Sequence, residues 1–221
     1  MMAVIVFGAS GGTGRAVISA LLAQGETVTG FVRNAAGFAW AKTPPTGLRI
    51  IEGDVMNAAD VTGAIAGHER VVISLGNSQN PFALMLGAKR TTPRTVCAVG
   101  TQHIIAGMQA SGCQRVVCVS AFGVGATKAM MPLMFKLFYA VVLREHMADK
   151  EQQESVLRQS GLDWTLVQPV GLVDQPVTGQ YCARADGTIG KQTISRADLA
   201  QFIARCLGNP ADIGQSLALS G

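Results

Sequence analysis

The chain has 221 residues, 48% hydrophobic and 14% charged, with a formal net charge of +4. That length and apolar content suit one buried α/β-sized core and exclude a disordered chain. No run of Lys or Arg accompanies the charge, so a small anionic molecule is a better partner than nucleic acid.

The first predicted element is a strand over Ala3–Phe7, followed by a helix over Gly12–Gln24 and a strand over Thr27–Val32. A weak helical pattern covers Ala35–Ala41, and a strand follows at Leu48–Ile51. Ala58–Ala66 reads as a helix, Arg70–Ser74 as a strand, Thr95–Ser111 as a helix and Arg115–Val119 as a strand. A long helix is predicted near Leu133–Ser160, then a strand at Trp164–Val167. Turn residues dominate Asp174–Ile194, and a helix begins at Ser195, whose hydroxyl pairs with the Asp198 carboxylate as a cap.

The strands are short, rich in β-branched residues and continuously apolar, as in a parallel sheet covered on both faces. Their alternation with helices predicts α/β architecture: one Rossmann-type doubly wound parallel sheet. Residues 1–221 are expected to form one dinucleotide-binding domain, with 174–221 a small C-terminal lobe on the substrate side. The longest apolar stretch, Ala129–Leu143, is interrupted by Pro132 and Lys136. It falls short of the roughly 20 residues a membrane span needs, so no membrane partner is expected. The first residues lack the basic start of a signal peptide. Cys97, Cys113, Cys118, Cys182 and Cys206 have no metal-ligand spacing. They read as buried, reduced thiols of a cytoplasmic protein without a metal site. Monomer and homodimer both remain open.

The strongest motif is Gly8-Ala9-Ser10-Gly11-Gly12-Thr13-Gly14, between the first strand and the first helix. Glycines at 8, 11 and 14 allow a tight turn and close approach of a pyrophosphate to the helix N-terminus. An acid at the end of strand two would bind a ribose 2′-hydroxyl and mark NAD. Here the strand ends Phe31-Val32-Arg33-Asn34. Arg33, helped by Arg15, can instead pair with a 2′-phosphate, which predicts NADP(H). Asp54-Val55 could bracket the adenine. Asp54 could equally cap the next helix, for which Asn57 is better placed.

Gly8–Gly14, Arg33, Gly53-Asp54-Val55, Leu75-Gly76 and Ser160–Thr165 resemble the atypical short-chain dehydrogenase/reductases of the NmrA-like NAD(P)-binding family. Asp174–Tyr181, Ile194–Leu199 and Arg205–Leu207 are similar to the flavin reductase (biliverdin reductase B) branch of that family. The resemblance implies NADPH-dependent reduction of a flavin, quinone or linear tetrapyrrole. It also places Leu75, Gly76 and Pro169 beside the cofactor, and Ser120 in the active site. In the stretch Pro169–Val173 this chain lacks the histidine of that branch. At the family's Tyr-x-x-x-Lys slot it has His146-Met147-Ala148-Asp149-Lys150, keeping the lysine and losing the tyrosine.

Four residues apart, His146 and Lys150 share a helical face, so the ammonium would disfavour a charged imidazole. Lys150 could hold the nicotinamide ribose and His146 could donate a proton, or both could be ordinary exposed helix residues. His68 and His103 show no partner pattern. Flavin reduction needs two flat rings stacked, and solvent can provide the proton, so Ser120, Lys150 and His146 are the candidate catalytic set. Met130, Met131, Leu133, Met134, Phe135 and Phe138 could face a flat acceptor, or could be ordinary core. A non-catalytic NADP(H)-sensing regulator is the alternative.

Overall fold

The structure, a computed structural model, describes residues 3–77, 79, 83, 87–131 and 142–221. In chain order its elements are β1 (Ala3–Phe7), α1 (Gly12–Ala23), β2 (Thr27–Val32), β3 (Leu48–Glu52), α2 (Ala58–Ile65), β4 (Arg70–Ile73), α3 (Val96–Ser111) and β5 (Arg115–Val119). There follow α4 (Arg144–Arg158), β6 (Asp163–Pro169), β7 (Gly171–Val173), β8 (Cys182–Arg184), β9 (Thr193–Ser195), α5 (Arg196–Gly208) and β10 (Gln215–Ser220).

Eight strands form one sheet in the order β3-β2-β1-β4-β5-β6-β10-β8. Every pairing in it is parallel except that of β8 with β10. β7 and β9 make a separate parallel pair. This is the expected Rossmann-type doubly wound sheet. Strand order reverses at β1, between β2 and β4, and such a switch point opens a crevice at the carboxyl ends of the strands.

Burial on both faces explains the continuous apolar strands. Along β1, Val4 and Val6 pack into the core beneath α1 and α5, whereas Ile5 and Phe7 pack into the core beneath α2, α3 and α4. All four side chains are completely buried, and each contributes about 1.5–3 kcal/mol on that account.

Local chemistry sets the helix starts. Asn57 caps α2, its Oδ1 accepting from the Ala59 amide at 3.0 Å. Ser195 caps α5, its Oγ accepting from Asp198 N at 2.9 Å and donating to Asp198 Oδ2 at 2.7 Å. The same carboxylate accepts from the amides of Thr178 and Gly179, at 2.9 and 2.8 Å. It thereby ties the irregular 174–181 segment to α5. Tyr181 adds an edge-on contact with Phe202, ring centroids 5.6 Å apart.

Three local expectations need correction. Residues 35–41 form successive turns and no helix: Asn34 Oδ1 accepts from Gly37 N at 3.0 Å, and Phe38 N and Ala41 N each reach back three residues. An asparagine competing for backbone donors and a mid-segment glycine favour that outcome. The described part of the long helix starts at Arg144, because Val142 is in a turn and Leu143 has φ −110° and ψ 10°. Finally, β10 lies between β6 and β8, inside a sheet position for which the sequence shows no strand pattern.

Candidate functional site

The glycine loop divides its labour. Gly8 has φ +81°, and a Cβ there would strike the Ser74 carbonyl at the end of β4. A Cβ at Gly14 would strike the Gly8 carbonyl. These two glycines let β1, β4 and α1 meet. Gly11 differs: it has φ −71°, and a Cβ there would meet only Gly8 O, at 3.4 Å. Space above Gly11 is therefore open for a ligand. Gly11 is also the N-cap of α1, with no side-chain cap and no acid in the first turn. The orphan amides and positive dipole end of α1 are left to an anion, as a bound pyrophosphate requires. Ser10 holds the loop from outside, its carbonyl accepting from Arg15 Nη1 at 2.7 Å. Arg15 is thus engaged by the loop itself.

A cleft at the switch point brings together seven of the predicted cofactor residues: Gly8, Ser10, Gly11, Arg33, Val55, Leu75 and Gly76. Phe31, Val32, Ser74, Thr92 and Val96, which the sequence does not single out, complete it. Gly12, Thr13 and Gly14 form the first turn of α1 behind the loop. Arg33 is exposed and, among the described residues, makes one long bond, 3.4 Å to Thr91 O, which leaves most of its guanidinium donors uncommitted there. The nearby carboxylate of Glu52 is occupied by the Ala35 amide at 2.7 Å. Asp54 is exposed, outside the cleft lining, with Oδ1 accepting from Met56 N at 2.9 Å. Pro169 is buried at the end of β6, where its carbonyl accepts from Phe122 N at 2.9 Å, and lines neither cleft.

A second cleft adjoins the first through Gly76 and contains His146 and Lys150. Lys150 is more constrained than its spacing from His146 implies. Its Nζ donates to Leu75 O (2.8 Å), Val119 O (2.7 Å) and Gln153 Oε1 (3.0 Å). An ammonium has three protons, so reaching a ribose requires one bond to be exchanged. His146 is half-buried; burial, and then the Arg90 charge, push its imidazole below the usual histidine range. Both effects favour the neutral imidazole. Asp149 caps α3, accepting from the amides of Cys97 and Ala98, both at 2.9 Å. Burial raises the Cys97 thiol to about 11, which keeps it protonated and unreactive.

Ser120 lies just past β5, 5% exposed, and its Oγ is covered and has no hydrogen-bond partner among the described residues. Its neighbour Ala121 lines the second cleft in its place. Of the apolar acceptor-facing candidates, Met131 is buried against Gly123 and Met130 is 46% exposed. Leu133, Met134, Phe135 and Phe138 lie outside the described residues.

Among the described residues no His, Cys, Asp and Glu cluster could hold a metal. His68 and His103 have partners after all: Thr29 Oγ1 at 2.7 Å and Val55 O at 2.9 Å. Four of the cysteines are buried free thiols, and Cys182 is half-buried on β8.

A strand-end glycine loop, an uncapped α1 and a switch-point cleft define a dinucleotide-binding protein. Residues 8–210 match the NAD(P)H-binding family, and the chain belongs to it. An uncharacterized chloroplastic protein of Arabidopsis thaliana is 25% identical over 204 residues, which are 92% of this chain and 71% of that protein. Among solved structures, ChuY of Escherichia coli O157:H7, described as an anaerobilin reductase, is similar with 22% identity and a TM-score of 0.80, covering 99% of this chain and 97% of its own. A Veillonella parvula short-chain dehydrogenase/reductase in complex with NADP has 17% identity and a TM-score of 0.79, covering 100% and 94%. At those identities the two structures speak for the fold.

Proposed function

We propose that the protein is an NADPH-dependent reductase whose acceptor is flat and largely apolar, such as a flavin, quinone or linear tetrapyrrole. The observation that carries this reading is the pair of adjoining clefts. One holds the glycine loop and Arg33, and the other holds His146 and Lys150. A reduced nicotinamide, when bound, supplies a hydride. The chain's own groups bind and orient: the amides of α1 and Gly11 take the phosphates, while Val55 and Leu75 provide apolar walls. Lys150 holds the ends of β4 and β5 in place, and neutral His146 can accept a proton at the second cleft, to be passed on only once it has been taken up. The reductase described for the Escherichia coli neighbour is consistent with this assignment. A cytoplasmic setting accords with the free thiols.

The C-terminal segment belongs to the acceptor side in this reading. A Cβ at Gly187 would run into Met130, so this segment packs on the short helical stretch Gly125–Met130 beyond β5. Steady-state NADPH oxidation with FMN, riboflavin and several quinones tests the enzyme. Turnover above buffer with at least one acceptor is expected. No turnover with any of them would transfer the assignment to the second reading, a sensor of NADP(H). The covered Ser120 hydroxyl and the fully engaged Lys150 favour that second reading.

The choice of cofactor rests on Arg33, with no carboxylate in the Phe31-Val32-Arg33-Asn34 strand end itself. Arg33→Ala should weaken NADPH binding by about 1.5–3 kcal/mol and leave NADH nearly unchanged. Calorimetric titration of both cofactors checks this. Equal affinity of the unmodified protein for both would remove the NADP preference.

A further inference from the structure

The second cleft contains two buried donors without acceptors among the described residues: Asn77 Nδ2 and Arg90 Nη1. Buried donors are almost always paired, and two orphans in one cleft need an explanation. Asn77 cannot satisfy itself by turning over, because its Oδ1 is fixed by the Gln79 amide at 2.9 Å. Among the described residues Arg90 donates through Nη2 to Glu145 Oε2, at 2.6 Å. Arg94 leans on the same carboxylate at 3.4 Å, so two guanidinium groups share one acid.

The other charges facing the cleft are engaged. Asp149 is taken up by the α3 amides and Lys150 by backbone carbonyls. Burial and Arg90 itself disfavour a charge on His146. The unmatched features are thus one excess positive charge and two donors, beside an apolar wall of Pro93, Ala121, Leu143 and Met147. An acceptor-only group, a carboxylate or a phosphate, completes that set, and an apolar ring suits the wall.

We propose that Asn77 and Arg90 bind an anionic arm of the acceptor, so that the substrate class is planar molecules bearing a carboxylate or phosphate. This deepens the reductase reading and rests on it for the identity of the ligand as an acceptor. The two residues select the substrate and take no part in hydride transfer.

Binding to the NADP⁺-saturated protein tests the proposal without turnover. FMN is compared with riboflavin, which lacks the phosphate, and anthraquinone-2-carboxylate with 2-hydroxymethylanthraquinone, which lacks the carboxylate. Each is followed by fluorescence or absorbance titration. The anionic member of at least one pair should bind about tenfold tighter. Which pair shows the preference tells phosphate from carboxylate. Arg90→Ala and Asn77→Ala should each erase most of it, while Arg49→Ala, an exposed cation on β3, should not. NADPH affinity should be unchanged in all three variants.

Equal binding within both pairs, or no binding of any of the four, overturns the proposal. So does a preference that survives both cleft variants. Loss of NADPH affinity in Arg90→Ala and Asn77→Ala would assign the donors to the cofactor and overturns it too. The reductase reading fails separately: anion-selective binding without NADPH oxidation leaves this site standing, and equal binding with turnover leaves the reductase standing.

Discussion

Replacing Gly11 by Val should remove dinucleotide binding and leave the protein folded. The backbone at Gly11 is extended, with φ −71° and ψ 161°, a conformation that valine accepts without strain. A Cβ there meets Gly8 O at 3.4 Å, an ordinary contact, so nothing inside the fold resists it. The added methyl groups instead fill the opening in front of the α1 amides, where a pyrophosphate must approach. The NADPH dissociation constant should rise by about a hundredfold or more, equal to ~2.8 kcal/mol. Circular dichroism and the melting temperature should stay close to those of the unmodified chain. A folded variant that still binds NADPH would show that the loop is a connection and nothing more.

Gly14→Ala should do the opposite, harming the fold first. By helix propensity alone alanine would stabilise the start of α1 by about 1 kcal/mol. Packing reverses the sign. The new Cβ runs into the Gly8 carbonyl and lies 2.9 Å from Ala9 Cα, and both are backbone atoms held by β1. Neither can swing aside as a side chain would, so the junction of β1 and α1 must shift, at about 3 kcal/mol or more. The net loss of about 2 kcal/mol should lower Tm by about 4–8 °C in a domain of this size. Calorimetry of the purified variant checks it. An unchanged or raised Tm would mean that α1 slides freely along the loop and that Gly14 is not required by packing.

These two glycines also illustrate how far the residue pattern alone can be read. The sequence marks Gly8, Gly11 and Gly14 equally. Only the positions of Ser74 and the Gly8 carbonyl separate the packing glycines from the one with open space before it. The strands β1, β2 and β5 follow their apolar runs residue for residue, since a strand buried on both faces writes its own pattern. β10 reads Gln215-Ser-Leu-Ala-Leu-Ser, without a β-branched or aromatic residue. Its extended form comes from pairing with β6 on one side and β8 on the other, which local propensity does not register. The second cleft is illegible in the sequence for a related reason. Asn77, Arg90 and Arg94 lie in a stretch without periodicity, and they reach His146 only because α3 and α4 pack side by side. Spacing from His146 marks Lys150, but its three acceptors come from two strand ends and a helix turn.

The seat of Lys150 has a chemical consequence. β4 and β5 separate beyond Ile73 and Cys118, the last residues of their ladder, and the Lys150 ammonium bridges the gap by binding Leu75 O and Val119 O. An ammonium has no lone pair, so an acylating reagent can attack only after a proton leaves, and here the nitrogen is also enclosed by the three acceptors its protons bond. Lys150 should therefore be labelled far more slowly than an exposed amine such as Lys128, whose side chain is 60% exposed. Its labelling rate then becomes a clock for the parting of the two strands at the bottom of the crevice, readable by mass spectrometry with and without nucleotide.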